Sequence, residues 1–148
     1  LVEKLISELS GRGCRVAAVK HSHHEIEFDQ PHKDSWRHAR AGAKETMVCS
    51  ANAVRLIKYF DEEPTLETLC GHFSQDIDII LAEGFSGSSV PKIEVHRKEA
   101  GPPLENAASL LAIATDEPLD VPVKQFDLED VQAIADLIVE KLIKPVKS

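Results

Sequence analysis

The spacing of apolar residues divides this chain into helices and short strands. Val2, Leu5, Ile6 and Leu9 recur at i, i+3, i+4 and i+7, the stripe of an amphipathic helix. Gly11 and Gly13 stand behind that stripe as a stop. "CRVAAV" (14–19) is short, apolar and bounded by charge, so it reads as a buried strand. A polar stretch follows, and a second helix is expected from about Asp34 to Ala41, ending at Gly42. "ETMVCS" (45–50) is another apolar strand. "NAVRLIKYF" (52–60) reads as a strand too, although its spacing also suits a helix. Thr65 with Thr68 behind it marks a helix start, and Leu66, Leu69, Cys70 and Phe73 form one face.

The second half repeats the alternation. "IDIILAEGF" (77–85) is an apolar run that stops at a carboxylate and a glycine. "KIEVHR" (92–97) alternates, with Ile93 and Val95 on one face, as in an edge or half-exposed strand. "LLAIATD" (110–116) is buried and again ends on a carboxylate. Asp127 is expected to cap a terminal helix over 128–143, with Val131, Ile134, Ile138 and Leu142 as its stripe. Residues 84–91 and 99–109 read as loops and 145–148 as a tail. No repeat or low-complexity segment occurs.

Helices alternating with short, fully apolar strands predict an α/β fold. The expected architecture is a mostly parallel twisted sheet with helices on both faces, in one domain over 1–148. Ligands of such folds bind beyond the carboxyl ends of the strands. That rule selects the residues following Val19, Ala82 and Thr115, namely Lys20 with the polar loop behind it, Glu83 with Gly84, and Asp116.

Composition narrows the ligand. The 148 residues are 43% hydrophobic and 28% charged, ordinary for a globular protein. The formal net charge of -8 argues against broad nucleic-acid contact, because no basic surface offsets phosphate repulsion. Yet Lys20, Lys33, Arg37, Arg40 and Lys44 cluster, which suits a small anionic ligand better than a polymer. No signal-peptide pattern is read in these 148 residues, and no apolar run approaches the roughly 18 residues that span a membrane. Cys14, Cys49 and Cys70 form no CxxC pair and fit a reducing compartment; the expected location is cytoplasmic.

The stretch "VKHSHHEIEFDQPHKDSWRHARAGA" (19–43) carries five of the seven histidines. His21, His23 and His24 with Glu25 or Asp29 would supply ligands for zinc or nickel, but no HExxH or CxxC spacing fixes such a site. Beside Lys20, Lys33, Arg37 and Arg40 the same residues suit phosphate, and a solvated loop is the plain alternative. Glu83, directly after a buried strand, is placed to help hold Mg2+, and Gly84 lets backbone approach a terminal phosphate without a Cβ clash. The plain alternative there is a solvated acid and a glycine turn. Asp116 is placed to accept hydrogen bonds from the guanine N1–H and 2-amino group, a pair adenine does not present. It also suits a turn ahead of Pro118, and no NKxD string occurs.

"AAVKHSHHEIEFDQPHKDSWRHARAGA", "LAEGF", "PKIEVHR" and "LAIATDEP", in that order and spacing, resemble the MobB family of molybdopterin-guanine dinucleotide biosynthesis adaptor proteins. The resemblance covers almost the whole chain, and its histidine and EGF…PKIEVHR blocks are the specific parts. It implies a P-loop NTPase-like GTP-binding protein and a homodimer, at most a weak GTPase. Its implied partner is the MobA-type molybdopterin guanylyltransferase, which it helps to attach GMP to molybdopterin. It further implies that Glu83 and Gly84 lie on the Mg2+ and terminal-phosphate side and that Asp116 lies in the base-reading region. Lys20, His21, His23, His24, Lys33, Asp34 and Arg37 are implied to face the nucleotide or the molybdopterin. The family's G-x-x-x-x-G-K-[ST] phosphate loop is not found in the 148 residues. With no N-cap before Val2, the expectation is a chain lacking a preceding strand and phosphate loop, and binding GTP poorly by itself. The rival expectation is a histidine-rich zinc or nickel delivery or storage protein of P-loop GTPase type.

Overall fold

The computed structural model describes residues 1–22, 24, 26–103 and 109–143. Within it the elements follow in the order α1 (Val2–Gly11), β1 (Val16–Lys20), α2 (Asp34–Arg40), β2 (Glu45–Cys49), β3 (Val54–Lys58) and α3 (Leu66–Cys70). Then come β4 (Ile79–Glu83), β5 (Lys92–His96), β6 (Leu110–Thr115), β7 (Lys124–Asp127) and α4 (Val131–Leu142). The contacts divide the chain into two compact units, residues 1–21 with 70–148, and residues 22–69.

The larger unit is α/β with parallel ladders, as the pattern of buried strands predicts. β1 pairs with β4, and β6 lies between β5 and β7; all three pairings are parallel. β6 is the central strand of its ladder, and Ala112, Ile113, Ala114 and Thr115 are all buried, so its side chains read as one apolar run rather than alternating. Ala112 and Ala114 join Leu5, Leu9, Phe126, Ile134 and Ile138 in one core. Small residues on the strand let the α1 and α4 side chains come close. Leu9 and Ile134 are fully buried, worth about 1.5–3 kcal/mol each relative to exposure.

α1 ends as its glycines predict. The Cys14 N–H donates to the Leu9 carbonyl (3.1 Å) and the Gly13 N–H to the Ser10 carbonyl (3.0 Å), with Gly13 at φ +88°. These are the two bonds of a Schellman stop. Thr65 Oγ1 accepts from the Thr68 N–H at 3.2 Å, the expected cap of α3.

Two expectations are corrected. The terminal helix begins at Val131, not 128, and its cap is Asp130, whose Oδ1 accepts from the Ala133 N–H at 3.2 Å. Asp127 instead ends β7, a short strand the apolar pattern does not announce because "KQFD" contributes a single buried residue, Phe126.

The smaller unit holds α2 and an antiparallel β2–β3 hairpin. The turn closes with the Ser50 N–H on the Ala53 carbonyl at 2.8 Å. One hairpin face buries the facing pair Thr46 and Ile57. The other presents the facing pairs Met47–Leu56 and Cys49–Val54, with Met47 and Val54 each 63% exposed. Among the described residues no helix is long and apolar enough to cross a membrane.

Candidate functional site

The ends of β1 and β4 form the best-defined polar corner. Parallel register sets Lys20 opposite Glu83, and the pairing continues one step further, with the His21 N–H donating to the Glu83 carbonyl at 2.8 Å. Two residues chosen from the sequence as strand-end neighbours of a ligand are therefore side by side. Lys20 Nζ lies 3.5 Å from Glu83 Oε1, both side chains more than half exposed. Such a solvated ion pair contributes little to stability, so both groups are available to a ligand.

Gly84 is required by two features at once. Its φ is +89°, where a side chain is strained. A Cβ added there would also meet the His21 carbonyl oxygen at 2.9 Å and the His21 Cβ at 3.1 Å. The chain then places the Phe85 ring against the His21 imidazole, centroids 5.3 Å apart and tilted by 45°. The loop behind it is fastened locally. Ser88 Oγ donates to the Phe85 carbonyl at 2.8 Å, and the Lys92 ammonium reaches the Ser88 carbonyl and, at 2.9 Å, Ser109 Oγ.

Asp116 follows β6, exposed, its Oδ1 accepting the Lys98 N–H at 2.8 Å. Beside it stands a residue that sequence reasoning missed. The His96 side chain is 3% exposed, and its Nε2 lies 3.2 Å from Glu117 Oε1. Glu117 is in turn set by a local turn, its N–H on Thr115 Oγ1 (3.2 Å) and its carbonyl accepting that hydroxyl (2.9 Å). The available signal was a histidine at the end of an alternating strand, which alone does not reveal burial.

In the smaller unit, Lys33 and Asp34 open α2, and Asp34 pairs with Arg37 at 3.7 Å, the side chains 87% and 71% exposed. The His24 N–H donates to Ser22 Oγ at 3.2 Å. His23 and Glu25 lie outside the described residues.

Asp29 has a role the sequence did not suggest. Its side chain is only 3% exposed, and Oδ1 accepts from Arg55 Nη2 (2.8 Å) and the Gln30 N–H (2.9 Å). Hydrogen bonding from the Ser35 hydroxyl first, then from the Gln30 amide and Arg55, holds this carboxyl below the usual aspartate range. Through Oδ1 this carboxylate ties the loop to β3. Among the described residues no three His, Cys, Asp or Glu side chains cluster closely enough to hold a metal ion, so the metal-delivery expectation gains no support.

Comparison with known proteins agrees with the resemblance. The model of the family described as MobB, molybdopterin guanine dinucleotide synthesis protein B, matches residues 1–116. A molybdopterin-guanine dinucleotide biosynthesis adapter protein of Haemophilus influenzae is 36% identical over 140 residues, covering 93% of this chain and 79% of that protein. The Escherichia coli protein of the same name is 36% identical over 150 residues, covering 97% and 86%. A crystal structure of molybdopterin-guanine biosynthesis protein B superposes with a TM-score of 0.72 at 28% identity, over 94% of this chain and 88% of that one.

Proposed function

We propose, from the premise that this chain belongs to the MobB family of molybdopterin guanine dinucleotide synthesis proteins, that its strand-end corner faces a guanine nucleotide. The chain serves molybdopterin guanine dinucleotide biosynthesis as an adapter protein. The nucleotide is GTP, with Mg2+ as its counter-ion, and the protein it assists is the molybdopterin guanylyltransferase.

The observation that carries this reading is the Glu83–Gly84 corner. A carboxylate at a rigid strand end, followed by a glycine packed against the His21 carbonyl, offers firmly placed charge for a hydrated Mg2+. Mg2+ retains several waters and takes few protein carboxylates, so a single Glu83 suits it better than it suits zinc. Lys20, paired with Glu83 across the corner, adds positive charge for the phosphates. Asp116, steadied by the Lys98 N–H, has the acceptor chemistry for the guanine edge. Any hydrolysis would depend on positioning and charge neutralisation; no side chain here is assigned as a catalytic base. His21, next to that corner, supplies a polar group suited to the nucleotide or molybdopterin.

Two further proposals belong with this one. The apolar hairpin face of Met47, Leu56, Cys49 and Val54 suits a second copy of the chain, making a homodimer. Three unpaired cysteines suit the cytoplasm.

The test is calorimetric titration of the full-length gene product with GTP and ATP, with and without Mg2+. The expected result is Mg2+-dependent binding selective for GTP, lost in Glu83→Ala, and selectivity relaxed in Asp116→Ala. Equal binding of GTP and ATP, or undiminished Mg2+-dependent binding in Glu83→Ala, would overturn the assignment.

A further inference from the structure

The net charge of -8 is not spread evenly. α2 and the residues just before it carry Lys33, Arg37 and Arg40 against the single acid Asp34. Helical spacing of three and four places Lys33, Trp36, Arg37 and Arg40 along one arc of α2. The opposite side holds Ser35, 8% exposed, and the half-buried Ala39. The cations therefore share the outward face.

That face is also ordered. Trp36, the only tryptophan in the chain, has the His32 ring 5.3 Å away on one flank. The Arg40 guanidinium stands 5.5 Å from its centroid, a cation–π distance. His32 takes φ +70°, an uncommon backbone state for a residue with a side chain. Such local strain is found where the surroundings over-determine a conformation, often at functional positions. An arginine already resting on an indole loses less side-chain freedom when it is captured by a partner. Tryptophan and arginine are also the residues that dominate binding energy at protein interfaces.

We propose that the outer face of α2, formed by His32, Lys33, Trp36, Arg37 and Arg40, docks an acidic surface on a partner protein. This rests on the adapter reading, and the partner is the guanylyltransferase proposed above. An extended polyanion is a poor fit. α2 is seven residues long, about 10 Å, whereas one turn of duplex DNA runs roughly 34 Å and would meet the negative remainder of the chain. A small anion is a poor fit too, because such ligands are held in concave sites, while Arg37 projects with 71% of its side chain exposed. A local patch of carboxylates around an apolar seat for the tryptophan complements the face in both charge and shape.

The test titrates the purified guanylyltransferase from the same genome into this protein at low and physiological salt. Wild type is expected to bind, more weakly as salt rises. The double reversal Arg37→Glu/Arg40→Glu is expected to bind at least about tenfold more weakly, with the circular dichroism spectrum of the folded chain retained. Lys124→Glu/Lys141→Glu changes the net charge equally and is expected to bind as wild type. Incorporated 5-fluorotryptophan gives one 19F resonance, from Trp36, which is expected to shift when the unlabelled partner is added. If wild type binds but the α2 reversal binds equally well and the resonance stays put, the surface is wrong and the partner stands. If both reversals weaken binding equally, the effect is overall charge and the inference falls. If wild type does not bind the enzyme at all, the partner reading fails and this inference with it. Reversal-sensitive binding to duplex DNA or phosphatidylglycerol vesicles in place of the enzyme would overturn it as well.

Discussion

Gly84→Ala measures how tightly the corner is built. Two separate costs are expected. Forcing alanine into φ +89° costs about 1–2 kcal/mol. The new methyl group would then sit 2.9 Å from the His21 carbonyl oxygen, and neither backbone can yield without disturbing the Lys20–Glu83 register. Overpacking of this kind costs about 1–3 kcal/mol. Gly13→Ala supplies the control, because Gly13 has nearly the same φ, +88°, with nothing within 4 Å of its added Cβ. Urea unfolding of the two variants and wild type should give about 1–2 kcal/mol for Gly13→Ala and about 2–5 kcal/mol for Gly84→Ala. The difference isolates the close approach. A second readout is local, since the His21 and Phe85 resonances should move in Gly84→Ala and not in Gly13→Ala. Equal losses in the two variants, with His21 undisturbed, would refute the crowded corner and remove the main geometric support for a firmly placed Glu83.

Two other outcomes follow from the same geometry. Asp29 has a folded-state pKa below its unfolded value, so its stabilisation is present above the ordinary aspartate range, near about pH 3.9. It is lost as pH falls through the depressed folded value. Asp29→Asn should therefore lower stability at neutral pH and flatten the acid limb of stability against pH; an unchanged acid limb would argue against the anchor. His96→Leu removes the partner of a partly buried Glu117 carboxylate and should cost about 1 kcal/mol in urea unfolding. His96→Gln, able to donate to the same oxygen, should recover part of that loss.

The fold class, most of the elements and the strand-end positions of several candidate residues were legible because they depend on local pattern. Fully apolar runs such as "LLAIAT" announce a strand buried in a parallel sheet, and a carboxylate immediately after such a run has one place to go. Glu83 and Asp116 were placed at strand ends in this way, and the glycine stop of α1 is written in "SGRG". The resemblance supplied the ligand and partner expectations, which no periodicity encodes. Local pattern failed where a residue's state depends on a distant neighbour. Asp29 is buried by Arg55, 26 positions away, and His96 meets Glu117 across 21, so neither looks different from a surface residue in its own neighbourhood. β7 was missed because one buried Phe126 and the edge of β6 suffice to hold four residues as a strand. The cap moved from Asp127 to Asp130 because strand pairing claimed Asp127. The sequence by itself determined the period and order of the elements, through side-chain spacing. Tertiary structure alone decided which polar groups face one another, because that depends on parallel register and burial between segments far apart in the chain.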